Sequence, residues 1–299
     1  MGLFGGNKKL CPICGGATPR LLSTKVEGTP LCKACAGKID LPEGAPDRMS
    51  LEDFRAYIGF YDGNQALRSM FTETYSFSFG FLNGAMPLDL DHRLFRLKDL
   101  DTALVFEAPA LKAFRISEDG APLFEGNPSA LTCYQSDIPA RVGAMGPQLA
   151  QFQLQMNQYE MMKQQEKNSG SSSCYVSRPD IDLLKPFQQF QVELTLDHPY
   201  WGSFTNTVGA PGFTSILPSI DDYLREYNEK VDGLYGLARQ LMQLLNPDAP
   251  EVRGGTGAAP AASQPASAAD ELIKFKALLD SGAITEEEYN TKKRQLLGI

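Results

Sequence analysis

Histidine and tryptophan are nearly absent from this sequence. Its 299 residues include two histidines and one tryptophan. Two histidines leave little room for histidine-based catalysis or for a His-rich metal site. Cysteine is also sparse, six in the whole chain, which excludes a disulfide-built scaffold at this length. A positive excess is missing: 28 Lys and Arg face 36 Asp and Glu, a net charge of −8 that excludes a broadly basic nucleic-acid coat. No long hydrophobic run exists either. Three uncharged stretches come nearest, at 142–159, 199–220 and 254–269, and each is interrupted by glutamine, by proline and hydroxyl residues, or by Gly, Pro and Ser. None is an apolar segment of about 20 residues, so the chain reads as soluble. Catalytic signatures are missing too: there is no Gly-x-Ser-x-Gly elbow, no Walker A loop and no Gly-x-Gly-x-x-Gly turn. Every positive argument for an enzyme is thereby removed, and a non-enzymatic protein is the expectation.

The strongest feature present is at the N-terminus. Cys11-Pro-Ile-Cys14 and Cys32-Lys-Ala-Cys35 are separated by 17 residues. Two residues between cysteines form a tight turn that aims both sulfurs at one point. Two such turns supply four thiolates, the closed shell of a structural Zn²⁺. Gly15, Gly16 and Gly37 are placed for turns with positive φ. The intervening residues read as a hairpin turning at Glu27-Gly28. A disulfide or redox Cys-x-x-Cys and a rubredoxin-like iron site are the competing chemistries. Nothing before Lys8 and Lys9 reads as an apolar export segment, so a reducing cytoplasm is expected, and there paired cysteines favour metal. Residues 1–40 carry six Lys and Arg against Glu27 and Asp40. That balance permits contact with nucleic acid through Lys8, Lys9 and Lys33 without arguing for it. The remaining thiols, Cys133 and Cys174, have no partner at ligand spacing.

Beyond a break at 40–49, Ser50-Leu-Glu-Asp53 is a capping box that predicts a helix over 51–58, extending towards Met70. The period then changes to two. Tyr75, Phe77, Phe79 and Phe81 alternate with small polar residues, and Asn83-Gly84 signals a hairpin. A meander through 88–106 follows. Phe114 to Phe124 forms a second hairpin through Asp119-Gly120. Phe190, Val192, Leu194 and Leu196 mark another strand. A closing helix is predicted near 220–246, capped by Ser219, with Ile220, Leu224, Tyr227, Val231, Leu234, Ala238, Leu241 and Leu245 as its apolar stripe. That stripe suits packing on a sheet better than a coiled coil, because Gly233 and Gly236 weaken an isolated helix. The segment 144–166 is rich in Gln and Met, with Leu149, Phe152, Met156 and Tyr159 on one face, and reads as a packed insertion or an adaptable binding face. Asp89 with Asp91 and Asp180 with Asp182 are paired carboxylates of the kind common in turns.

Composition divides the chain into a zinc ribbon at 1–40, a central β-rich domain at 50–247 with an insertion at 143–180, a Gly/Ala/Pro linker at 248–269 and a terminal segment at 270–299. The terminal segment reads as two amphipathic helices, the second opened by the capping box Thr285-Glu-Glu-Glu288. Thirty residues bury their own apolar face poorly, so Leu272, Phe275, Leu279, Ile284 and Tyr289 are the candidate association surface, for a protein partner or a second copy. The expected fold class is therefore α+β and multidomain, with an antiparallel β-rich centre closed by a helix.

The pattern from Leu272 through Phe275, Gly282, Ile284, Thr285, Tyr289 and Lys293 to Leu297 closely resembles the short C-terminal (SHOCT) domain of bacterial proteins. That resemblance implies oligomerisation or protein association. The N-terminal Met-Gly-Leu-Phe-Gly followed by Cys-Pro-Ile-Cys-Gly and Leu-Cys-Lys-Ala-Cys is similar to the zinc ribbon of an uncharacterised bacterial family, in which a short helix and a pleckstrin-homology-like β region follow. A cytoplasmic, non-enzymatic adaptor or scaffold that acts through protein association is the expected function. A nucleic-acid-binding regulator and a peripheral membrane protein are the alternatives.

Overall fold

A computed structural model of the chain describes residues 10–19, 21–169, 177–179, 185–213 and 218–256. The chain divides into two compact units, 1–257 and 258–299. The terminal segment with Leu272, Phe275, Leu279, Ile284 and Tyr289, the end of the linker, Cys174, the Asp180/Asp182 pair, Lys8 and Lys9 lie outside the described residues.

The first unit is mixed α and β and rich in sheet. It opens with a small hairpin, β1 (Lys25–Val26) and β2 (Thr29–Pro30). Its turn residues Glu27 and Gly28 both have positive φ, as a two-residue hairpin of matching twist requires. Four helices follow: α1 (Lys33–Ala36), α2 (Ala45–Arg48), α3 (Leu51–Gly63) and α4 (Gln65–Met70). The Ser50 hydroxyl accepts from the Asp53 amide and the Asp53 carboxylate accepts from the Ser50 amide, so the capping box is formed.

Two sheets make the body. One has the order β3-β4-β5-β6, from Tyr75–Gly80, Gly84–Asp89, Leu94–Phe95 and Phe106–Glu107. The other runs β11-β10-β7-β8-β9-β12. Its strands are β7 (Leu111–Glu118), β8 (Ala121–Asn127), β9 (Ala130–Gln135), β10 (Gln189–Leu196), β11 (Ser203–Gly209) and β12 (Glu251–Thr256). Asp119 and Gly120, both at positive φ, turn β7 into β8. On β10, Phe190, Val192, Leu194 and Leu196 are buried while their alternating neighbours are not, which is the expected period of two.

Three helices follow β9 in sequence: α5 (Ile138–Gly143), α6 (Gly146–Ser169) and the closing α7 (Ile220–Leu245). Leu149, Phe152 and Met156 of α6 are buried, whereas Leu154 and Met161 stay exposed. Helix α7 packs on β7 and β8. Ser219 caps its start by accepting from the Asp222 amide, and the Arg93 guanidinium donates to the Leu244 carbonyl at its end. Its buried face is Tyr223, Tyr227, Leu234, Leu237, Ala238, Leu241, Met242 and Leu244. Ile220, Leu224, Val231 and Leu245 are only half-buried. The 4-3 stripe thus marks one flank of a broader face, because a sheet covers more of a helix than a coiled-coil partner does.

Three expectations change. Phe81 does not continue β3: the strand ends at Gly80 and Phe81 is fully exposed on a three-residue loop, 81–83. The central sheet is not wholly antiparallel, since β12 runs parallel to β9. The linker begins later than composition implies. Glu251–Thr256 has poor strand formers, yet it completes the open edge of β9, where the Glu251 carboxylate accepts from Cys133 Sγ and Tyr235 Oη. Tertiary pairing overrides propensity here. Burial, and then that carboxylate, push the Cys133 thiol up to about 11, the setting of an inert thiol.

Candidate metal centre

Each cysteine pair is built by its own turn. In the first, the Gly15 amide donates to the Cys11 carbonyl and the Cys11 amide to the Gly16 carbonyl. Gly15 has φ of 72°, a conformation that favours glycine. Gly16 is needed for closeness instead, because a Cβ would lie 3.3 Å from Cys14 Sγ. In the second, Cys32 is the N-cap of α1 and its sulfur accepts from the Cys35 amide at 3.4 Å. Gly37 follows at φ −69°, so its expected positive φ is not found; a side chain there would press on the Lys33 carbonyl.

The β1–β2 hairpin brings the two turns together. All four sulfurs lie within 4.8 Å of one another, and Cys14 and Cys32 are 3.4 Å apart. A disulfide needs about 2.05 Å. The edge of a tetrahedron with Zn–S bonds of about 2.3 Å is roughly 3.8 Å. The four therefore stand at ligand spacing, as free thiols. Cys11, Cys32 and Cys35 are buried and Cys14 is exposed. Burial opposes the Cys11 thiolate, but the amides of Cys32, Cys14 and Ile13 together outweigh it and hold Cys11 down to about 6. Burial and then the neighbouring sulfurs push Cys35 up. One anion is easy here and four are not, unless a cation sits among them. The donor set fits a closed, four-coordinate metal site with no position left for a substrate.

The module that carries these sulfurs is fused to the body. Val26, Leu31, Cys11, Cys32, Cys35 and Leu41 share one continuous apolar core with Phe54 and Tyr57 of α3. Polar bonds cross the same seam. Arg55 donates to the Pro12 carbonyl, and the Leu51 amide donates to Glu27. Asp40 is the hub, and nothing in its sequence neighbourhood marks it. Its buried carboxylate accepts from the Leu104 amide at 2.7 Å and from Lys98 at 2.9 Å. Its amide donates to Tyr57 Oη and its carbonyl accepts from Trp201 Nε1. The cysteine module is thus built into the first unit. Ribbons are too small for a core of their own, and this one borrows α3.

Among the described residues the other candidates do not assemble. Asp89 turns inward, fully buried, and accepts from the Thr72 amide, the His92 amide and the His92 ring, whereas Asp91 is exposed. His198 lies among the rings of Phe60, Phe106 and Tyr200, and burial depresses its pKa. Among the described residues no helix is long and apolar enough to cross a membrane.

The remaining expectation concerns the terminal segment. Residues 270–297 match the Short C-terminal domain family, SHOCT. The match spans the segment that begins just after the Gly/Ala/Pro stretch and contains the five candidate association residues. No curated protein and no solved structure matches the chain.

Proposed function

We propose that this protein is a zinc-binding, non-enzymatic adaptor of the bacterial cytoplasm. Its structural Zn²⁺ is held by Cys11, Cys14, Cys32 and Cys35, and it associates with a protein partner or a second copy through its SHOCT segment. The observation that carries the reading is the tetrad of free sulfurs at ligand spacing within a module whose core continues into the body. Zinc is chosen over iron because the ion's task here is to hold a fold. The two sheets closed by α7 support a pleckstrin-homology-like reading of the centre, a scaffold rather than a catalyst. Leu272, Phe275, Leu279, Ile284 and Tyr289 supply the apolar contact. Lys38 is occupied with Asp62, so the nucleic-acid alternative loses one of the module's cations and gains no support.

The test has two parts. Metal analysis of the purified full chain should find about one zinc per chain. Light scattering should then show a larger species for the full chain than for a Leu272→Asp, Phe275→Asp, Ile284→Asp variant. Oxidised thiols with no metal refute the first part. An unchanged mass, together with an unchanged set of co-purifying proteins, refutes the second.

A further inference from the structure

The loop between β3 and β4 places two large apolar side chains in water. Phe81 is 102 % exposed and Leu82 is 89 % exposed, so neither touches the body. The loop beneath them is held firmly. The Asn83 amide donates to the Gly80 carbonyl, and the Asn83 side-chain amide donates to the Thr207 carbonyl on β11. In return the Asn206 side chain donates to the Asn83 carbonyl. Gly80 and Gly84 bracket the tip at φ of 110° and 70°. The strand residues that flank the loop carry no charge. Residues 74–88 contain no Asp, Glu, Lys or Arg, and neither do residues 199–220, which include β11. In a chain that is 21 % charged, the strands on both sides of the tip are neutral.

We infer that the Gly80–Gly84 tip is a shallow membrane wedge that inserts Phe81 and Leu82 into the interface of a zwitterionic bilayer. Size favours lipid over protein. Two side chains offer on the order of 300 Å², well under the roughly 1,200 Å² of a stable protein–protein contact. A convex tip also needs a matching hollow in a protein, whereas a bilayer yields to it. The hydrogen bonds made by Asn83 and Asn206 keep polar groups beside the tip satisfied as water is left behind. A neutral rim brings no charge to be desolvated and no attraction to anionic lipid. One wedge gives weak, reversible binding.

The experiment is flotation of the metal-loaded full chain with phosphatidylcholine vesicles, with and without phosphatidylserine. The wild type should float with both compositions. The double variant Phe81→Ser, Leu82→Ser should partition at least about tenfold more weakly, and Phe81→Trp should bind as the wild type does. Thermal unfolding of the Ser variant should be unchanged, because both side chains are free of contacts. Raising salt from about 0.1 M to about 1 M should not release the protein. The inference is overturned if the wild type fails to float, if the Ser variant floats equally, or if binding needs phosphatidylserine. Loss of a dimer in the lipid-free Ser variant, seen by light scattering, would equally overturn it by making the tip a protein contact. None of these outcomes touches the zinc site or residues 270–297, so the adaptor reading stands or falls separately.

Discussion

Replacing Asp40 by alanine should loosen the cysteine module from the body without unmaking the metal site. The arithmetic comes from two bonds. The Leu104 amide is left buried without an acceptor, which costs about 1–3 kcal/mol. The Lys98 pair is half open to water, so its loss adds less than about 1 kcal/mol. The bonds from the Asp40 amide to Tyr57 and from Trp201 to the Asp40 carbonyl belong to the backbone and survive. The sum is a loss of roughly 1–4 kcal/mol for Asp40→Ala. Asp40→Asn keeps an oxygen for Leu104, gives up only the charge, and should cost less than about 1 kcal/mol. Urea unfolding followed by circular dichroism measures both, with an unchanged slope as the control for two-state behaviour. Metal content should stay at about one equivalent, because the knuckles close within residues 11–37. The reasoning is wrong if Asp40→Ala lies within about 0.5 kcal/mol of the wild type, or if the asparagine variant is as unstable as the alanine.

Three further outcomes are expected. Stripping the metal with a chelator should lower one shared thermal transition, since Cys11, Cys32 and Cys35 belong to the common core; a separate early melt with the body unmoved would show the module to be independent. Burial pushes the Glu118 carboxyl up, although Tyr227 and Ser136 donate to it. Its stabilising proton is fully present below the unfolded pKa and is lost as pH rises through the raised folded value. Glu118→Gln should therefore melt higher than the wild type at neutral pH, with the gap closing in acid, as a series of melting temperatures across pH would show. Gly126 lies beneath the Phe114 ring, which a Cβ would strike. Gly126→Ala should thus cost about 1–3 kcal/mol in urea, and a neutral result would mean that the ring can step aside.

Where a feature is local, the residues announce it. Glu27-Gly28 and Asp119-Gly120 carry the positive φ their turns need, and Ser50 with Asp53 closes a capping box. The cysteine spacing likewise foretold that four sulfurs would meet. Features set by distant partners are silent in the chain. Asp40 meets Leu104 and Trp201 across 64 and 161 positions, and no short pattern encodes that. Val252 and Arg253 become strand only because β9 has an edge to fill. Phe81 shows the reverse failure. Its alternation with Phe79 fits a strand, but Gly80 ends the pairing and sends it outward.

The one tryptophan gives the molecule a built-in optical gauge. Trp201 is buried with its indole N–H on the Asp40 carbonyl, at the junction of the cysteine module and the body. All indole emission from the chain therefore arises at that seam. If the module undocks, the ring meets water and its emission moves to longer wavelength. Opening of the seam can then be timed in the unlabelled protein, together with the unfolding of the core that the module shares.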